Sequence, residues 1–465
     1  MNTILLIPTG EGVGLTSACL GMIYALDCKG INAGFLKPFS QIADATVDRT
    51  TTLYRHLFHR RSVEPITYER LTQLIALGET DELLEEAVAL HRQIAVNHDV
   101  IIVEGLVPNG QDHFASEINA ALAQALDAQV VLVSTADLAD PRKTAEKVDA
   151  HLRQFGGAAS PRTTGVLFMR TKGLPDGTAE IPVTLDPSLR LDQQIAEFSL
   201  ELQRYNRFMG TDELPIIGLV PFSNILSVPR SLDIAAIVEG TWLHQGEAKQ
   251  RRILHTSLIA SNIESELHKF IAGELIISAS QRTDTLLAAS LASSNGTPLA
   301  GLVLTEQAPP SDNVLEFCQS AIKQGLPILH TSLDTLETAQ RLNRFGNEIP
   351  IDDIERAEQV TRFVSSHIDN NWLDQHTQNN LHPRLSPSAF RYELVQKAIA
   401  AKKRIVLPEG DEPRTVQAAV ICQTRGIAQC ILLAKPESVA EVAKARGIQL
   451  PADLQIIDPD TIRDQ

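Results

Sequence analysis

Pro8-Thr9-Gly10-Glu11-Gly12-Val13-Gly14-Leu15-Thr16-Ser17 follows an apolar run, Thr3–Ile7, and leads into a helical pattern through Ala18, Leu20, Met22, Ile23 and Leu26. Strand, glycine-rich turn and helix is the order of a phosphate-binding loop. Gly10, Gly12 and Gly14 let backbone N–H groups converge on an anion, and the helix N-terminus adds positive potential. Thr16, with Ser17 beside it, stands where a hydroxyl would hold magnesium. Leu15 stands where a lysine would neutralise the outer phosphates, which removes a main electrostatic requirement for phosphoryl transfer. Three readings follow: a tight strand-to-helix turn, a regulatory ligand site, or nucleotide chemistry. Two charged residues join this candidate anion or effector site from other strand ends. Lys37 closes Phe35-Leu36-Lys37, and Glu104 closes the buried run Asp99–Glu104. Lys37 reads as solvent-facing or as turned toward the loop. Glu104 reads as a metal-site acid, a helix cap, or a partner of Lys37.

A second group lies far along the chain, where Arg404-Ile405-Val406-Leu407 delivers Pro408-Glu409-Gly410-Asp411-Glu412-Pro413-Arg414. In an open α/β sheet the carboxyl end of a strand is the ligand side. Glu409, Asp411 and Arg414 are therefore candidate substrate-side residues, with Asp411 also a candidate N-cap for the helix that follows.

The elements that must hold these groups are α/β throughout. Strands at 35–38, 99–105, 130–133, 166–168 and 215–221 alternate with helices such as 81–95, which predicts a doubly wound parallel sheet over residues 1–228. A smaller α/β unit is expected over 229–369, with strands at 252–254, 274–278, 301–304 and 327–329 and helices at 262–271, 284–293 and 351–369. Residues 370–384 read as a polar linker carrying solvated His376 and His382. From 385 to 465, Ser386-Pro387 caps a helix, and buried strands at 404–407 and 430–433 and a third strand at 454–457 alternate with helices at 414–425 and 437–446. That last sheet is expected to be incomplete within this chain, because parallel sheets need helices on both faces. It should expose apolar edges near Leu454–Ile457, and the chain is expected to be the front part of a longer protein.

Composition sets outer limits. A length of 465 residues suits two to four domains at roughly 100–200 residues each. A net charge of -16 argues against nucleic acid. Five scattered cysteines, with no C-x-x-C pair and no histidine at ligand spacing, read as reduced thiols, and no metal site is expected. The start lacks a signal-peptide pattern and no apolar run approaches the ~18 residues of a spanning helix, so a cytoplasmic protein without a membrane partner is expected.

The loop, the Leu36-Lys37-Pro38 segment and the Val103-Glu104-Gly105 segment together resemble the dethiobiotin synthetase branch of P-loop proteins, which implies a nucleotide-and-magnesium site with Lys37 as its second lysine. Met169 lies where that branch would carry a base-reading asparagine. Gln281-Arg282-Thr283-Asp284 resembles the D-R-T-G-G motif of the small domain named for it, with Thr283 or Asp284 as the expected cap of the next helix and Arg282 as a candidate anion contact. Ser386-Pro387-Ser388-Ala389-Phe390-Arg391-Tyr392 and Arg404–Thr415 resemble the opening of a phosphate acetyltransferase catalytic domain. In that order these segments resemble long-form phosphate acetyltransferases over nearly the whole chain. The resemblance implies interconversion of acetyl-CoA and phosphate with acetyl phosphate and CoA. It implies CoA as a substrate with no resident cofactor, a small-molecule effector, and a homo-oligomer at full length. A carboxylate is implied to take the thiol proton of CoA while arginine and serine hold phosphate, with those catalytic residues beyond Gln465. The alternative is a metabolite-sensing regulatory or assembly module without catalysis.

Overall fold

The computed structural model describes residues 2–461 except 44–46, 111–113, 158–159, 161, 175–186, 307, 344–347 and 378–385, so His382 lies outside the described residues. The first unit runs β1 (Asn2–Pro8), α1 (Leu15–Cys28), β2 (Ala33–Leu36), α2 (Arg49–Phe58), α3 (Tyr68–Leu77), α4 (Thr80–Ala95), β3 (Val100–Glu104) and α5 (Ala115–Ala125). It continues through β4 (Gln129–Asp137), α6 (Pro141–Leu152), β5 (Thr163–Lys172), α7 (Pro187–Gln203) and β6 (Ile216–Pro221). Its six strands pair in the order β2-β3-β1-β4-β5-β6, all parallel. Every residue of β1, β2, β3 and β6 is buried, the pattern of strands covered on both faces.

The second unit holds β7 (Thr241–His244), β8 (His255–Leu258), α8 (Ile263–Glu266), β9 (Glu274–Ala279), α9 (Thr283–Ser294), β10 (Gly301–Thr305), α10 (Asp312–Phe317), α11 (Gln319–Lys323), β11 (Ile328–His330) and α12 (Thr335–Asn343). Its sheet order is β7-β11-β10-β9-β8, with β7 the antiparallel edge. The strand expected at 252–254 begins three residues later, because Ile253 turns into the core while Arg252 leaves the sheet for Asp353. The single helix expected over 262–271 is α8 followed by a 3-10 turn, Leu267–Lys269.

After the second unit the chain returns to the first. Helices α13 (Ile354–Ser365) and α14 (Asn370–Thr377) complete the sheet face that α1 and α2 begin. Gly21 on α1 permits this approach, since a Cβ there would lie 2.4 Å from Val364 Cγ1. Ile368 bridges Gly218, and Trp372 donates its indole N–H to Thr164 O at 2.8 Å. The segment expected to be a polar linker thus carries a helix with Trp372 and Leu373 buried. His376 is half-buried rather than solvated. It stacks on Trp372 with centroids 4.3 Å apart, and burial pushes its imidazole below the ordinary value against a backbone hydrogen bond that acts upward.

The third unit comprises α15 (Pro387–Ala401), β12 (Arg404–Leu407), α16 (Pro413–Thr424), β13 (Gln429–Leu433), α17 (Pro436–Arg446) and β14 (Gln455–Ile457), with sheet order β12-β13-β14. Ser386 caps α15 as expected, accepting from Ala389 N at 3.0 Å. Strand β12 is not buried. Ile405 and Val406 are 43% and 52% exposed, whereas Leu454 is only 8% exposed, so the open apolar edge lies at β12 rather than at 454–457. The reason is placement: both are edge strands, but α15 turns away to dock on α4, leaving β12 uncovered. Arg391 of α15 and Arg425 after α16 share Glu85 of α4, at 3.2 and 2.7 Å.

Candidate functional site

In the first sheet β1 lies between β3 and β4, so the loop after β1 opens at the carboxyl ends of the central strands, the ligand side of such sheets. Gly12 and Gly14 adopt φ of 66° and 88°, which an L side chain rarely adopts, and Gly14 starts α1 without any side-chain cap. The loop therefore has anion-binding geometry at a helix N-terminus. Its charge arrangement is different.

Leu15 is only 6% exposed and packs in the core with Val13 and Ala18. It is a core residue rather than a truncated phosphate contact. Leu15→Lys is therefore expected to lower stability by about 3 kcal/mol, since it puts an ammonium into an apolar site. Chemical denaturation checks this, and a neutral change would return nucleotide chemistry to consideration.

Lys37 does turn toward the loop side, but it is occupied. Its Nζ lies 2.8 Å from Asp48 Oδ2 and 3.1 Å from Glu104 Oε1. Thr50 donates its hydroxyl to the same Glu104 oxygen at 3.3 Å, and the Thr16 and Thr50 hydroxyls are 2.9 Å apart. Burial works against the Lys37 charge, but the two carboxylates outweigh it and hold the ammonium well above its ordinary value. Burial likewise works to raise the Asp48 carboxyl, and Lys37 overrides it, leaving the group below its usual range. Glu104 is thus the partner of Lys37, one of its three sequence readings.

Magnesium does not fit this cluster as it stands. The Lys37 ammonium already sits between the two carboxylates a divalent ion would use, and the described residues contain no group of three or more His, Cys, Asp or Glu able to hold a metal. The ammonium cannot simultaneously neutralise bound phosphate at full strength, which compounds the loss at Leu15.

Sequence reasoning missed Asp48. The available signal was local: Asp48 precedes Arg49-Thr50-Thr51-Thr52 and caps α2, accepting from Thr51 N at 2.9 Å. It also missed Arg170, whose φ of 52° at the end of β5 brings Nη1 to Gly12 O at 2.9 Å. No local pattern marks that contact. Ser17 and Met169 both line a cavity beside the loop, apart from the Lys37 cluster.

The other candidates are not gathered. Glu409, Asp411 and Arg414 are all exposed beyond the end of β12. Asp411 is not the N-cap. Glu412 caps α16, accepting from Arg414 N and Thr415 N at 2.7 and 2.9 Å, because the proline at the first helical position fixes the cap one residue later. In the second unit Arg282 itself occupies the N-cap position of α9, without a side-chain cap bond, in place of Thr283 or Asp284. Arg282 meets Asp284 at 2.7 Å and donates to Ser261 O at 2.9 Å, so its charge is largely neutralised.

Three family matches divide the chain much as its sheets do. Residues 2–230 match an AAA domain, 233–345 a DRTGG domain and 389–465 the phosphate acetyl/butaryl transferase family. The gap between the last two contains α13 and α14, which pack on the first sheet. A phosphate acetyltransferase of Acinetobacter baylyi is 74% identical over 465 residues, all of this chain and 65% of that protein. A phosphate acetyltransferase of Pseudomonas aeruginosa is 40% identical, again across this whole chain and 64% of its own length. The Escherichia coli phosphate acetyltransferase is 35% identical over 470 residues, 99% of this chain and 65% of its own. This chain, with its AAA, DRTGG and phosphate acetyl/butaryl transferase regions in that order, is similar throughout to phosphate acetyltransferases and spans about 65% of their length.

Proposed function

We propose that the protein to which this chain belongs is a phosphate acetyltransferase, interconverting acetyl-CoA and phosphate with acetyl phosphate and CoA. The observation that carries this reading is 74% identity across all three units to a protein of that name, with the third unit matching the transferase family itself. CoA enters as substrate rather than as a resident cofactor. In the direction that forms acetyl-CoA its thiol, with a pKa of ~8.5, needs a base to become nucleophilic, and the phosphate that leaves the acetyl carbon needs positive charge. In this reading the groups that meet those needs belong to the part of the relatives' length that this chain does not span, and Glu409, Asp411 and Arg414 border the substrate side. The glycine loop serves as a regulatory anion or effector site, since Leu15 is core and Lys37 is paired. The protein works in the cytoplasm as a homo-oligomer; among the described residues no helix is long and apolar enough to cross a membrane.

The neutralised loop and the exposed 409–414 turn favour a second reading, a metabolite-sensing module without catalysis. An assay of CoA release from acetyl-CoA and phosphate, run on this chain and on the product of the complete reading frame, separates the two. Turnover only in the complete product supports the transferase and places its chemistry outside residues 1–465. Turnover by the 465-residue chain would move the catalytic groups inside it. Silence in both would leave the sensing module.

A further inference from the structure

Cys422, in the last turn of α16, and Cys430, at the second position of β13, meet in the core of the third unit. The backbone closes the turn between them, with Ile427 donating its N–H to Cys422 O at 2.8 Å. The backbone N–H of Cys430 donates to Gln423 Oε1 at 3.0 Å, which fixes the start of β13 against the end of α16. Between these two anchors the Cys422 and Cys430 thiols come within hydrogen-bonding reach of each other, and both are free. The Cys430 sulfur also lies 4.0 Å from Ala428 O, a contact weak enough to give up. Cys430 is buried and Cys422 half-buried, so the pair joins a sheltered thiol to one nearer solvent.

The other three cysteines are not arranged in this way. Cys19 and Cys318 are buried in the cores of the first and second units, and Cys28 is exposed at the end of α1. Cys19 and Cys28 stand roughly 13 Å apart along one helix axis, beyond the Cα separation of about 4.4–6.8 Å that a disulfide spans. Burial, with Cys422 beside it, holds the Cys430 thiol above its ordinary value. Cys430 therefore keeps its proton, and Cys422 is the nucleophile of the pair.

We propose that Cys422 and Cys430 form a reversible oxidation site, which hydrogen peroxide closes to a disulfide. The Cys422 thiolate attacks one peroxide oxygen; the S–O bond forms, the O–O bond breaks and hydroxide leaves. The Cys430 sulfur then attacks the Cys422 sulfur of the resulting sulfenic acid. The S–S bond forms, the S–O bond breaks, and the Cys430 proton leaves with the hydroxyl as water. In all, two thiols lose two electrons and one peroxide becomes two waters. The disulfide ties the last turn of α16 to β13, at the opposite end of that helix from Glu409, Asp411 and Arg414. It stiffens the helix behind the candidate substrate-side turn without entering the turn, and a dithiol reverses it.

Peroxide treatment of the folded whole chain, followed by thiol alkylation and tryptic mapping without reductant, tests the proposal. Cleavage after Arg425 separates the two cysteines, so the disulfide joins the peptide Thr415–Arg425 to the one that begins at Gly426. That cross-linked species is expected to hold most of the Cys422 recovered and to vanish with dithiothreitol. Cys430→Ser removes the resolving thiol, so sulfinic acid at Cys422 should rise about tenfold or more over the unchanged protein. Cys422→Ser, at a half-buried position, keeps the test open if serine in the core unfolds the third unit. It should abolish the cross-link and leave Cys430 a thiol at the same peroxide dose. Cys422 recovered mainly as sulfinic acid in the unchanged protein, or a cross-link that forms only in urea, would overturn the proposal. So would oxidation of Cys430 that survives Cys422→Ser. The readout is sulfur chemistry alone, so it is independent of whether the protein transfers acetyl groups.

Discussion

Lys37→Met is expected to lower the unfolding free energy by about 3–5 kcal/mol, the usual consequence of removing one partner from a buried ion cluster. Methionine conserves much of the volume, so packing is not the cause. Asp48 and Glu104, 6% and 5% exposed, would face each other with no cation between them. Changing Glu104→Gln in the same chain removes one of the stranded charges and should recover part of the loss. Urea or guanidinium unfolding followed by circular dichroism reads both effects, and a loss below about 1 kcal/mol for the single variant would show that the cluster is solvated. The wild-type chain carries a matching pH signature. Asp48 has its carboxyl depressed in the folded state, so its contribution is present above the ordinary carboxylate pKa near 3.8 and is lost as pH falls through the lower folded value. Lys37→Met should flatten that acid limb.

Asp353→Ala should have the next largest effect, about 3 kcal/mol. Asp353 is 3% exposed and serves two purposes at the junction of the first two units. It receives Arg252 Nη2 at 2.8 Å, and it caps α13 by accepting from Arg356 N at 3.4 Å. Arg230 lies 3.8 Å from it, with its own partners Asp233 and Asp352. Burial works to raise the Asp353 carboxyl, but Arg252 and Arg230 hold it down. Alanine removes both the ion pair and the cap, leaving Arg252 without its closest carboxylate. A double-mutant cycle with Arg252→Ala isolates the pair, and hydrogen exchange locates the damage. Protection should fall in α13 first, whereas Lys37→Met should loosen β2 and β3. Equal loss across all three units in both variants would mean that the chain unfolds as one body and that the junction has no separate stability.

Much of the first unit is legible because its determinants are local. An all-apolar strand, three glycines and a helical repeat specify β1, the loop and α1 without reference to anything distant, and the serine-proline start of α15 is equally local. Pairing of Lys37 with Glu104 was among the sequence readings because both residues end strands of one parallel sheet. Asp48 was not, since it arrives from a helix cap whose position depends on how α2 crosses the strand ends.

What the amino-acid sequence determined by itself was the order of three α/β units, the turn geometry of the glycine loop and the absence of its lysine. Those are matters of backbone preference, apolar period and residue identity. The tertiary structure alone decided that Leu15 is core, that the Lys37 ammonium is shared by two carboxylates, and that α13 and α14 return to cover the first sheet. It also decided that β12 rather than β14 is left open, and that Arg170 and Arg356, far apart in the chain, line one cavity. A helical stripe of apolar residues fixes that a face will be buried but not against which sheet, and an arginine's number in the chain says nothing about which other arginine it will face.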